Sequence, residues 1–342
     1  MLTKNETLQF KGIAILIMIF LHLFILKSNV ALCEVSLYFH GKPLVFQLSK
    51  FSGICVGLYL FLSGYGLYLS NKSGNASSPW KRILKLYLNF WIVFGVFIFL
   101  ASILYPERYP GDFIEIIKNF TGWHTTYNGE WWFLFPYVLL VLTSLWIFKW
   151  IDRCSVWIAL CIIGVVYVCS YLTIWFNREY LYTHQLVYMP ILYLSCFPSF
   201  ALGAVFAKYD WFAVLKNKIE IKTIGQNILW IAVLVFLLLL RALSPISAVN
   251  IICMLLFVCW FAVVRKSEWI IWLLEKLGKS STNMWLVHTF FCYYLFHDWI
   301  YGFKYPIVIL FVTVLLSYLS GVIIDMIYQP VQKIIIGKLF KK

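Results

Sequence analysis

The sequence predicts an all-α polytopic membrane protein of about ten transmembrane helices, with both termini cytoplasmic. Three observations predict it. Hydrophobic residues make up 63% of the 342 residues, charged ones only 12%, and mean hydropathy is +0.85, so the chain cannot cover a water-soluble surface. Apolar runs of membrane-spanning length recur from one end to the other. Finally, the 28 Lys and Arg fall mainly in alternate spacers.

The runs lie at 10–28, 51–70, 84–104, 131–150, 154–175, 188–207, 226–243, 247–264, 281–297 and 305–328. In the first, Lys11 marks the start of the apolar stretch, and His22 lies about 16 Å deeper at the helical rise, near the middle of a bilayer. An ionisable ring at that depth marks function by default. Breaker residues separate the later runs: Asn71 to Pro79, Tyr105 to Gly111, Ser244-Pro245 and the polar stretch from Lys216 to Gln226. No spacer is long enough for a soluble domain, so residues 1–342 read as one transmembrane domain with none appended.

Charge sets the expected orientation. Lys27, Lys42, Lys50, Arg108, Lys118, Arg178, Arg241 and Lys304 fall in outward spacers, and the other Lys and Arg, Lys222, Lys341 and Lys342 among them, face inward. The net charge of +14 is thereby a topology signal and requires no nucleic-acid partner. No small-residue cleavage site follows the first run and more spans come after it, so a cleaved signal peptide is not expected. Nine cysteines, mostly within spans and without a Cys-x-x-Cys pair, offer neither a disulfide framework nor a zinc site.

Five segments carry a family resemblance. Lys11 to His22 resembles the basic-x10-His signature on the first helix of the acyltransferase-3 family of integral membrane acyltransferases. Val56 to Tyr65 resembles its second-helix segment ending in Ser-Gly-Tyr, and Trp80 to Tyr87 its R-x-x-R segment. Glu130-Trp-Trp-Phe-Leu134 and Leu277 to His288 resemble its fourth-helix and late-helix segments. Two departures stand out: Lys11 occupies a position where many members carry Arg, and Lys85 replaces the second Arg of R-x-x-R, so point charges stand in for planar forks. The resemblance implies a ten-helix O-acyltransferase that uses a cytoplasmic acyl-CoA, most commonly acetyl-CoA, without a metal.

The residues themselves fit that chemistry. Lys11, Arg82 and Lys85 fall at the cytoplasmic ends of their helices, where CoA phosphates would lie, and the three-residue spacing of the last two puts them on one face. Basic residues there also simply obey topology. His22 would act as general base or as acyl-carrying nucleophile. His288, also at membrane depth, is a candidate for the same cavity or for helix packing. Ser63, beside Gly64, is a substrate candidate or part of a tight helix contact; Glu130, with His124 nearby in the outer loop, meets the acceptor or is a solvated charge. Asp325 is expected to pair with a cytoplasmic-side cation.

Together these place the chain in the bacterial inner membrane, moving acetyl or another short acyl group onto a hydroxyl of a cell-surface or lipid-linked glycan. The competing reading is a transporter or flippase of a glycan precursor, with His22 and His288 as a proton relay.

Overall fold

The computed structural model describes residues 1–74, 77–219 and 224–340; Lys222, Lys341 and Lys342 lie outside the described residues. The chain is almost wholly helical: α1 Lys4–Phe24, α2 Lys27–Ala31, a two-residue hairpin β1 Tyr38–Phe39 and β2 Lys42–Pro43, α3 Leu44–Phe51, α4 Cys55–Lys72, α5 Pro79–Leu104, α6 Phe113–Phe120 and α7 Leu134–Arg153. There follow α8 Val156–Phe176, α9 Arg178–Thr183, α10 Gln185–Lys208, α11 Trp211–Lys218, α12 Ile224–Leu243, α13 Asn250–Val263, α14 Glu268–Thr289, α15 His297–Tyr301 and α16 Pro306–Leu339. Several starts are written in the sequence. Pro79 and Pro306 open α5 and α16 at positions where a missing N–H costs nothing, and Asp112 caps α6 by accepting the Glu115 N–H at 2.7 Å.

Seven helices are long and apolar enough to cross a membrane by length and composition, among the described residues. The expectation of ten differs at three places for identifiable reasons. The seventh and eighth runs form shorter apolar helices, Ile228–Leu243 and Ser247–Val263. The ninth does not begin at 281: α14 starts at Glu268, carries Glu275, Lys276 and Lys279 before that point, and gives way at Phe290 to a π-turn, Phe290–Tyr294. Likewise α1 starts at Lys4, so Lys11 lies two turns inside the helix rather than at its end.

The chain divides into two compact units. The first comprises Met1–Phe10, Gly53–Ser77 and Pro136–Trp272. Its centre is the packing of α4 on α10, brought together by two glycines: a Cβ on Gly64 would lie 1.9 Å from the Phe200 carbonyl oxygen, and one on Gly203 would lie 1.9 Å from that of Phe61. Small residues let backbones touch where no hydrophobic force separates helix from lipid. At the margin the Leu2 N–H donates to Tyr65 Oη at 2.9 Å, and Lys216 pairs with Glu6.

The second unit comprises Lys11–Ser52, Ser78–Phe135 and Leu273–Lys342. Here α1 and α14 run side by side in the same direction, because Gly12 meets Leu274 and His22 meets His288. A Cβ on Gly12 would lie 2.1 Å from the Leu274 carbonyl oxygen. A buried amide chain joins three helices: Asn89 Nδ2 of α5 donates to Asn283 Oδ1 of α14 at 2.5 Å, and Asn283 Nδ2 donates to Asp325 Oδ1 (2.9 Å) and the Gly321 carbonyl (3.2 Å) of α16. Among the described residues the partner of Asp325 is therefore an amide, not the expected cation. An amide satisfies the carboxylate without burying a second charge.

Candidate functional site

The site is built at the end of α1, where the last carbonyls of any helix lack an intrahelical partner. Three hydroxyls of the second unit supply them. Tyr293 Oη donates to the His22 carbonyl at 2.5 Å, Tyr301 Oη to that of Leu23 at 2.7 Å, and Ser49 Oγ to that of Phe24 at 3.0 Å. This fixes the backbone that carries the imidazole. Tyr293 projects from the π-turn, whose mark is the Leu295 N–H donating five residues back to the Phe290 carbonyl at 2.8 Å.

His22 and His288 lie with ring centroids 4.9 Å apart and planes at 22°. Their proton positions follow from partners that have no choice. His288 Nδ1 faces the carbonyls of Met284 (3.1 Å) and Trp285 (2.9 Å), which only accept, so Nδ1 carries the proton. That leaves Nε2 of the neutral ring as an acceptor, and the 2.6 Å contact makes His22 Nδ1 the donor. On the far side, His22 Nε2 lies 3.3 Å from Glu130 Oε2. A bare lone pair would repel an ionised carboxylate there, so the pair holds one proton in common, as imidazolium with carboxylate or imidazole with carboxylic acid. His22 is thereby one member of a hydrogen-bonded pair.

Glu130 is itself held. It sits on a 3-10 turn, Gly129–Phe133, that Asn128 opens by accepting the Glu130 N–H at 3.1 Å, while Trp285 Nε1 donates to the Glu130 carbonyl at 3.3 Å. Thr289 Oγ1 also donates to Asn128 Oδ1 (3.0 Å), and the Gly129 N–H donates to Tyr294 Oη (2.8 Å). Trp131 is fully buried and donates Nε1 to the Leu286 carbonyl at 2.9 Å, pinning the turn to α14 one residue past Trp285. Glu130 is thus not a solvated loop charge; its side chain is only 24% exposed.

Of the residues singled out in the sequence, His22, His288 and Glu130 come together. Arg82 and Lys85 stand one turn apart on α5, both half-buried, on the face that also bears Asn89. Lys11 is half-buried on α1 beside the Gly12–Leu274 contact. Ser63 lies in the first unit on α4, with its Oγ 3.1 Å from Tyr137 Oη, and its neighbour Gly64 makes the tight helix contact. His124 occupies the turn after α6, with its N–H donating to the Lys118 carbonyl at 3.2 Å. Tyr293, Asn128 and Trp285 escaped the sequence reading, since a Tyr in an aromatic run and an Asn before Gly have commoner roles as packing and turn residues.

The profile of the acyltransferase domain family matches residues 9–326, from the first turns of α1 to one residue past Asp325. No curated protein and no solved structure matches the chain. The match covers His22, Glu130 and His288, and with the apolar helices above it makes the chain a member of the acyltransferase-3 family and a multi-pass membrane acyltransferase.

Proposed function

We propose that this protein transfers an acetyl group from cytoplasmic acetyl-CoA to a hydroxyl of a cell-surface or lipid-linked glycan, in the inner membrane of a bacterium. The observation that carries the mechanism is Glu130 on His22 Nε2 at 3.3 Å. Nδ1 is committed to His288, so Nε2 is the nitrogen left for chemistry. As the acceptor oxygen attacks the thioester carbonyl, the hydroxyl proton passes to the His22–Glu130 pair, which then holds two protons, imidazolium beside neutral carboxyl. The carbon–sulfur bond breaks, one proton goes to the leaving thiolate, and the pair returns to its resting count. Acid and base are the same group at successive moments. Lys11, Arg82 and Lys85 would hold the donor phosphates as point charges and a fork.

The test is incorporation of label from radiolabelled acetyl-CoA into the glycan fraction of membranes that hold equal amounts of wild type or His22→Ala. Wild type is expected to incorporate label and His22→Ala to lose it. Equal incorporation would remove His22 from the chemistry, and no incorporation above protein-free membranes would overturn the donor.

A further inference from the structure

The stretch between α5 and α7 reads in the sequence as an outer loop, and the structure places part of it elsewhere. α5 is one continuous helix of 26 residues, about 39 Å long. Trp91 stands 13 residues before its last residue, Leu104, which is about 20 Å along the axis. Yet the end of α6 lies against Trp91. Trp91 Nε1 donates to the Phe120 carbonyl at 3.0 Å, their rings stack in parallel at 4.8 Å, and Tyr87 Oη, a turn further along, donates to the Thr121 carbonyl at 2.8 Å. The chain leaves the end of α5 and doubles back beside its middle, and a hydrocarbon core is only about 30 Å thick.

α6 has one packed face and one bare face. Asn119 is fully buried; its Nδ2 donates to the Glu115 carbonyl (3.0 Å) and to Thr126 Oγ1 (2.7 Å), and its Oδ1 accepts the Tyr127 N–H (3.1 Å). Tyr109 Oη donates to the Tyr127 carbonyl at 3.0 Å, and Tyr127 Oη to that of Pro110, so these carbonyls of the return segment are met by protein, as irregular backbone at membrane depth requires. On the bare face Phe113 is 73% exposed, Ile114 61%, Ile117 46% and Phe120 39%, a single helical side by their spacing. On α5, Phe99 and Ile103, four residues apart and so on one helical edge, are also exposed, at 69% and 61%. Lys118 lies at the margin of the bare face, where its long stem can carry the ammonium away from hydrocarbon.

We propose that α6 is a re-entrant, membrane-immersed helix whose apolar face of Phe113, Ile114, Ile117 and Phe120 packs against the acyl chains of bilayer phospholipid. Beside the middle of a helix that spans the bilayer, an exposed apolar face meets the hydrocarbon that also bathes the exposed Phe99 and Ile103 of α5. The consequence is functional, because Asn128 and Glu130 follow on the same return strand: the element that carries Glu130 to His22 is braced by lipid on its outer side.

The test uses the full-length protein in phospholipid vesicles with the photoreactive residue p-benzoylphenylalanine at Ile117, at Phe113, or at Glu107 in the preceding exposed loop. After illumination, mass spectrometry is expected to find protein carrying the mass of one phospholipid at Ile117 and at Phe113, and none at Glu107. If either α6 variant is not recovered folded, the other reads the same face. Absence of a phospholipid adduct on folded protein at both positions, or a covalent protein dimer in its place, would overturn the proposal.

Discussion

His22 is constrained at three atoms, its carbonyl by Tyr293, its Nδ1 by His288 and its Nε2 by Glu130. Replacing either ring's partner therefore has a directional consequence. Glu130→Gln keeps the shape but cannot share a proton, and turnover is expected to fall about 10²–10⁴-fold with little change in KM for the donor. A parallel fall in donor affinity would instead place Glu130 in binding. In the proposed mechanism His288 positions His22, and the diagnostic is rescue: His288→Gln still offers an oxygen to the His22 Nδ1–H and should retain clearly more activity than His288→Leu, which leaves that proton unpaired. Equal losses would mean that His288 serves packing alone. The two histidines were legible as candidates because an ionisable ring at membrane depth is costly, although helix packing stood beside function as an alternative for His288. Their mutual contact was not, since residues 266 positions apart are joined only by tertiary packing. Asp325 shows the reverse error: a buried carboxylate suggests a cation, and only the fold reveals that Asn283 is closer.

Elements follow the same division. Long uniform runs such as α5 and α8 were read nearly to their boundaries, because hydrophobicity over about 20 residues admits few alternatives in lipid. The start of α14 was missed because its first half is charged and amphipathic, and α6 was absorbed into a loop because eight residues lie below any span threshold. Of the contacts through glycine, that of Gly64 was legible beside Ser63, whereas those of Gly203 and Gly12 show only once their partners are known. They are also testable. Gly203→Ala is expected to lower stability by about 1–3 kcal/mol, since the new methyl meets a carbonyl with no room to yield. Gly66→Ala, on α4 with no atom near the added methyl, should be neutral or slightly stabilising. Thermal unfolding in detergent compares them directly, and equal midpoints would show that α4 and α10 can slide apart at low cost.

At the scale of the whole chain, charge and hydropathy together dictate how it lies in a membrane before any contact is known. Reporter fusions at Met1 and Lys342 are expected to be active only as cytoplasmic reporters, with a fusion in the loop at Glu107 showing the opposite. A terminus on the far side would change the parity of the spans and with it the side from which Lys11, Arg82 and Lys85 could meet the proposed donor. What the whole sequence could not convey is where its immovable positions lie. Gly64 and Gly203 each face a peptide carbonyl, which every amino acid carries. No substitution across the interface therefore makes room for a larger residue at either. A lineage drifting through sequence space can exchange the catalytic neighbourhood piece by piece, with each change compensated nearby, yet at these two codons it has no neutral path, so they should stand still in descendants whose substrates have long diverged.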